Sequence, residues 1–259
     1  MAERAALITG ASSGIGLAIA KALGEDGYGI TVSARRPEKL EAAAEDLRSA
    51  GIDVHSVPTN VVNEEEIVAL VESHEERFGR LDVLVNNAGV GIGAPLADTA
   101  IKALDMQLSV NVRSYVLATR EALPMLRKAG AEHGKALIAN TASIAGKSGQ
   151  PWISIYSATK FAVVGLTQAT QKEVGHEGIQ ATALCPGLVD TPMWEAIDAR
   201  LEELGAPPSA RYAQRAHNLP VGRAATPDEV AGAVAYLCGP DAGSITGSDL
   251  DIDGGLSIS

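Results

Sequence analysis

The segment LITGASSGIG, Leu7 to Gly16, runs an apolar stretch straight into a turn with glycines at positions 10, 14 and 16. Such a turn stands where a strand hands over to a helix, and two chemistries share its spelling. Gly10-Ala-Ser12-Ser-Gly14 fits the G-x-S-x-G elbow of a serine hydrolase, whereas Gly10, Gly14 and Gly16 fit a dinucleotide-binding turn. A tight turn that binds nothing is the third reading. The elements downstream choose between them.

Strands and helices alternate along the chain. Ala5 to Thr9 reads as a buried strand, followed by a helix from Gly14 to Leu23 with Ile15, Ala18, Ile19 and Ala22 on one apolar face. Further strands are predicted at 30–34, 53–59 (where Pro58 limits pairing), 81–85, 136–140, 180–184 and 249–252. Between them helices are predicted at 37–50, up to Phe78 from a capping box of Asn63 and Glu66, at 99–129 with a kink at Pro124, at 156–174 and at 227–238. Alternation with short links indicates a single α/β domain over residues 1–259, a Rossmann-like doubly wound parallel sheet with helices on both faces. The stretch from about 188 to 220 is the least regular and is predicted to form a substrate lid.

Composition excludes several classes of function. The chain has 259 residues, 46% of them hydrophobic and 20% charged, enough for a sizeable core. Its net charge of -11 argues against nucleic acid or an anionic membrane as the main partner, since either requires a basic surface. With no bilayer-length apolar run and no long apolar core in Met1 to Ile8, a cytoplasmic protein is expected. Cys185 and Cys238 stand far apart, and the five histidines lack ligand spacing, so neither a disulfide framework nor a metal site is expected.

A hydrolase elbow needs several strands and an oxyanion loop upstream of its serine, but a single strand precedes Ser12. A glycine turn after the first strand of a doubly wound sheet is instead where a dinucleotide binds. There the backbone approaches the pyrophosphate, and a helix N-terminus supplies unpaired N–H groups. Thr9, Ser12 and Ser13 are candidate hydroxyl donors to it.

The motifs together resemble those of the short-chain dehydrogenase/reductase family over nearly the whole length. Thr9-Gly-Ala-Ser-Ser-Gly-Ile-Gly16 matches T-G-x-x-x-G-x-G, Tyr156-Ser-Ala-Thr-Lys160 matches Y-x-x-x-K, and Pro186-Gly-Leu-Val-Asp-Thr191 matches P-G-x-V-x-T. Asn86-Asn87-Ala88-Gly89, Asn111 and Ser143 stand in the corresponding order. Tyr156 and Lys160 share a helix face, so the ammonium can stabilise a phenolate that otherwise forms only near pH ~10. The resemblance implies Tyr156 as general acid/base, Ser143 as hydrogen-bond donor to the reacting oxygen, Lys160 on the nicotinamide ribose, and Asn111 behind a water-linked proton path.

The resemblance also implies the cofactor. After the second strand stands Ser33-Ala-Arg35-Arg36, with no acid to accept from ribose hydroxyls. Arginine there resembles the NADP-preferring pattern, with Arg35 leading and Arg36 assisting. Asn60-Val61 stands where the family often has Asp-Val beside the adenine; Asn86 and Gly89 are read as cofactor-side supports, and Val189 and Thr191 as carboxamide neighbours. Trp152, Met193 and Trp194 are candidates for the substrate pocket. The implied activity is NADP(H)-dependent interconversion of a ketone and a secondary alcohol by a homotetramer or homodimer built through the long helices after strands four and five. The alternatives are a non-catalytic cofactor-binding regulator, a hydrolase using Ser12, and a 3-oxoacyl-carrier-protein reductase. Where the last group carries two arginines for its acidic carrier, this chain has Glu132 and Glu177, which points to a free small carbonyl or alcohol substrate.

Overall fold

The computed structural model describes residues 3–210 and 212–257. Seven strands, β1 (Ala5–Thr9), β2 (Gly29–Ala34), β3 (Val54–Pro58), β4 (Val83–Asn86), β5 (Ala136–Thr141), β6 (Ile179–Pro186) and β7 (Asp249–Ile252), form one sheet in the order β3-β2-β1-β4-β5-β6-β7. Every pairing is parallel. Strand order therefore reverses between β1 and β4, and the crevice at their carboxyl ends is where such a sheet binds ligands. Pro58 is tolerated because β3 is an edge strand.

Alternation along each strand divides the core into two layers. Ala6 and Ile8 of β1 face one layer, where they meet α1 (Gly14–Glu25), α2 (Pro37–Ser49) and, through Val230 and Val234, the late helix Pro227–Cys238. Leu7 faces the other, with Leu70 of α3 (Glu64–Phe78) and Leu126 of α5 (Ser114–His133). Leu7 and Ile8 are both wholly buried, each contributing about 1.5–3 kcal/mol of hydrophobic stabilisation.

Several local expectations are corrected. The helix predicted over 99–129 is two helices, α4 (Ile101–Leu108) and α5, joined by a π-helical turn at Ser109–Arg113 that contains Asn111. Asn63 starts α3 without capping it through its side chain: its amide donates to Glu66, whose other oxygen accepts from the Asn60 N–H at 2.6 Å. The Glu66 carboxylate engages the Asn63 amide and reaches past the cap to the preceding loop. The segment expected to be irregular is largely helical. After α6 (Ser154–Val174), it forms α7 (Pro192–Glu203), a short 3-10 turn at Pro208–Ala210 and α8 (Tyr212–His217). Pro192 opens α7 with its φ already set, and Ile197 and Leu201 bury its inner face. The last helix, Pro227–Cys238, is α9, started by a true capping box of Thr226 and Glu229.

Candidate active site

The glycine turn is held by its neighbours across the sheet. Thr9 Oγ1 accepts from the N–H groups of Asn87 (3.0 Å) and Ala88 (3.1 Å), and Asn87 Nδ2 donates to the carbonyls of Thr9 (3.0 Å) and Gly10 (3.2 Å). Thr141 Oγ1 donates to Asn87 Oδ1 at 3.3 Å, so one amide side chain ties the ends of β1, β4 and β5 together. Gly10 adopts φ 69°, and a Cβ there would lie 2.8 Å from Ala88 Cα; at Gly16 it would lie 2.5 Å from Asn87 Nδ2. Thr9 is thus committed inside the fold and offers no hydroxyl to a ligand, because its side chain turns to the β4 loop rather than to the crevice. Asn86 likewise turns inward, donating to Thr119 Oγ1 (3.1 Å) and Asn140 Oδ1 (2.9 Å); of the pair, Asn87 faces the site.

The crevice forms two connected cavities that share Gly10, Ser12 and Gly89. The first, about 260 Å³, is walled by Ser13, Gly14 and Ile15 of the turn, by Asn87, by Ser143, Tyr156 and Lys160, and by Pro186, Gly187, Val189, Thr191, Met193 and Trp194. The second, about 280 Å³, runs over β2 and is walled by Arg35, Arg36, Asn60, Val61, Ala88 and Met106 among others. Gly16 lies beneath the turn, and Asn111 beside the cleft rather than in its wall. Trp152 packs just behind, with Ile197, Leu201 and Tyr156.

At the closed end, Tyr156 and Lys160 follow one another on α6, and both are buried. Burial pushes the Tyr156 phenol up to about 12, against a hydrogen bond from Ser143 that draws it down. Lys160 Nζ donates to the Thr141 carbonyl at 2.7 Å and lies 5.5 Å from the Tyr156 ring centroid. Burial pulls its pKa down to about 8. Ser143 stands at the start of a 3-10 turn, accepting from the Ala145 N–H at 3.1 Å. Asn111 is held by its side chain: its Oδ1 accepts from Val90 N–H (2.8 Å), and its Nδ2 donates to Val90 O (2.9 Å) and Thr159 Oγ1 (3.0 Å). Its side chain fixes the loop over Lys160, and a Cβ on Gly89 would touch both Asn111 Oδ1 (3.7 Å) and Lys160 Nζ (3.8 Å). Thr141 and Thr159, which orient Lys160 and Asn111, were invisible in the sequence; a carbonyl acceptor has no residue-type signal, and only the place of Thr159 beside Lys160 hints at it.

The middle and open end of the cleft suit an elongated anion. Ser13 caps α1 without a side-chain bond, and no acidic residue enters the first turn, so its N–H groups face the cleft unpaired. Arg35 and Arg36 are exposed and pair with no carboxylate among the described residues. A dinucleotide carrying an extra phosphate fits these features. Among the described residues, no cluster of His, Cys, Asp and Glu could hold a metal, Cys185 and Cys238 are free and buried, and no helix is long and apolar enough to cross a membrane.

Known proteins resemble this chain in sequence and in fold. The chain is 39% identical over 254 residues to a putative ketoacyl reductase of Streptomyces coelicolor, covering 97% of this chain and 96% of that one. It is 36% identical over 258 residues to L-2,3-butanediol dehydrogenase of Corynebacterium glutamicum, covering 98% of each. A crystal structure of an actinorhodin polyketide ketoreductase variant with NADPH superimposes with a TM-score of 0.91 at 37% identity, all of both chains being covered. That of a 3-ketoacyl-(acyl-carrier-protein) reductase from Brucella melitensis with NADH does so with 0.88 at 33% identity over 99% of each. The family profile described as short chain dehydrogenase matches residues 4–202. The protein therefore belongs to the short-chain dehydrogenase family of oxidoreductases.

Proposed function

We propose that the protein interconverts a ketone and a secondary alcohol with NADP(H). The observation that carries this reading is the meeting of Ser143, Tyr156 and Lys160 at one end of a cleft whose other end presents two arginines without acidic partners. Gly10 and Gly14, with Ser12, Ser13, Ile15 and the backbone of Gly16, cradle the pyrophosphate. Arg35 and Arg36 clamp the 2'-phosphate, and Asn60, Val61 and Ala88 border the adenosine. Asn87, Gly89, Pro186, Gly187, Val189 and Thr191 border the nicotinamide half, with Tyr156 and Lys160 on its ribose. When bound, the cofactor supplies or accepts the hydride.

The residues of the chain manage the proton. With its pKa pushed up to about 12, Tyr156 is a phenol at neutral pH, the form that can protonate a carbonyl oxygen as negative charge develops on it. Ser143 donates to the same oxygen. Lys160, charged below about pH 8, favours the phenolate left behind, and the Thr141 carbonyl and the Asn111-held loop keep its ammonium in place. In oxidation the same groups run in reverse. Leu108, Val116 and Phe161 leave 42%, 44% and 47% of their surface exposed on α4, α5 and α6, which supports a homotetramer or dimer formed through these helices. The lid role of α7 and α8 belongs to the same reading.

A carrier-bound substrate is the second reading, supported by the relatives' names and by one structural observation. Glu177 pairs with Arg127, and Glu132 lies 3.6 Å from both Arg80 and His133, so neither carboxylate stands alone. Pairing cancels repulsion without creating the positive face that an acidic carrier would seek, and the free carbonyl compound remains the reading preferred. It is checked by kcat/KM for a 3-oxoacyl group on carrier protein against the same group on a short thioester mimic. Comparable values are expected, and a large advantage for the carrier would reverse the choice.

Tyr156→Phe should lower kcat by about a hundredfold or more with NADPH affinity intact, as read by cofactor fluorescence titration beside steady-state rates. Ala34→Asp with Arg35→Ala should shift the ratio of kcat/KM from NADPH toward NADH by about tenfold or more. Lys160→Met should lose activity yet unfold in urea at pH 7 with a free energy about 1–3 kcal/mol higher than wild type. The folded pKa of Lys160 is lowered from 10.5 to about 8, so the wild type bears the full cost of the buried charge below pH 8. That advantage of the variant should shrink as pH rises from 8 to 10.5.

A further inference from the structure

Lys160 is a buried cation that makes no ion pair among the described residues; its ammonium donates to the Thr141 carbonyl at 2.7 Å. Thr141 ends β5, one residue beyond the last β4–β5 pair, Asn86 with Asn140, so no β4 residue is paired opposite it. A second donor reaches the same oxygen. Tyr115, in the first turn of α5 and wholly buried, donates its phenol O–H to Thr141 O at 3.2 Å. The face of its ring also turns to the ammonium: Lys160 Nζ lies 5.8 Å from the Tyr115 centroid, against 5.5 Å from that of Tyr156. The π-helical turn before α5 sets this up. Asn111 within it donates to Thr159 on α6, and Tyr115, four residues later, meets Lys160, the next residue of α6.

The titratable groups facing Lys160 are Tyr156 on its own helix, Tyr115 on α5 and the Cys185 thiol on β6. Strand β5, the loop Asn87–Gly89 and the turn Ile144–Gly146 contribute none. Burial raises the pKa of all three, that of Tyr156 and Cys185 to about 12, so each is neutral at neutral pH and supplies no counter-charge. What opposes the cost of burying the ammonium is then a carbonyl dipole and two aromatic faces, whose quadrupoles attract a cation most strongly where water is excluded.

We propose that Tyr115 is a positioning residue for the reaction: its ring face favours the ammonium form of Lys160, and its hydroxyl fixes the carbonyl on which that ammonium rests. This rests on the oxidoreductase reading above, in which charged Lys160 favours the Tyr156 phenolate. It adds a residue that lines neither cavity of the cleft.

Ring and hydroxyl are separated by two replacements that open no cavity. Tyr115→Phe keeps the ring face and loses the hydroxyl, while pentafluorophenylalanine at position 115 keeps the shape of phenylalanine and reverses the sign of its face. The full-length protein, with lysine labelled with carbon-13 at Cε, is titrated by NMR from about pH 6 to 11, and the Lys160 resonance is identified by its absence from Lys160→Met. Relative to Tyr115→Phe, the fluorinated ring should lower the Lys160 pKa by about half a unit or more. The pH above which NADPH-dependent ketone reduction declines should fall with it. Tyr115→Phe itself should leave the Lys160 pKa within about 0.3 of wild type and lower kcat by about twofold to tenfold, the range for one hydrogen bond. A Lys160 pKa that is equal with the two rings or higher with the fluorinated one, or an undiminished kcat in Tyr115→Phe, would overturn the proposal. The NMR titration needs no turnover. A lowered Lys160 pKa with no ketone reduced by the wild type would sustain the hold of Tyr115 on Lys160 and count against the oxidoreductase reading.

Discussion

The active-site end of the sheet depends on one side chain, Asn87, seated between the ends of three strands. Its amide spans the carbonyls of Thr9 and Gly10 on one side and the Thr141 hydroxyl on the other, while its backbone N–H reaches Thr9 Oγ1. Space for it exists because Gly10 and Gly16 have no Cβ. In consequence, the turn that offers N–H groups to an anion and the strand end that holds Lys160 belong to one hydrogen-bonded unit. Placement of this kind, by buried and satisfied polar groups, gives rigidity because each alternative arrangement would strand a donor or acceptor.

Charge in the cleft is arranged by the same economy. Lys160 is an ammonium held in a nearly dry place by the Thr141 carbonyl, and its lowered pKa records the cost of that burial. Tyr156 beside it keeps its proton. The two shifts, in opposite senses and from the same desolvation, leave a neutral acid next to a cation, which is what carbonyl protonation requires. Arg35 and Arg36 extend the pattern outward as cations without carboxylate partners among the described residues, against an acidic background in which most arginines are paired.

Much of this was legible along the chain. Strand and helix alternation comes from short continuous apolar runs and from period-3.6 apolar spacing, and all seven strands stand within a few residues of their predicted places. The turn, Asn87-Ala88-Gly89, Ser143, Tyr156 and Lys160 line one cleft together with Pro186, Gly187, Val189 and Thr191. Where the reading failed, a tertiary partner had captured a side chain. Thr9 serves the β4 loop, Asn86 points to Thr119 and Asn140, and Glu66 reaches to Asn60. Helix α7 was missed because its apolar face is narrow, little more than Ile197 and Leu201, and packs against a site that exists only after folding.

The sequence by itself determined the architecture, the place of the crevice and the residues proposed as the catalytic trio, because these follow from local periodicity and from residue types at set spacings. Only the tertiary structure decided which hydroxyls and amides remain free to meet a ligand and how far burial moves Tyr156 and Lys160 from their ordinary titration. Satisfaction of a polar group depends on the atoms brought beside it by distant segments. Gln150 and Trp194, on either side of Arg215, come together only when the loop before α6 and the first turn of α7 close on α8.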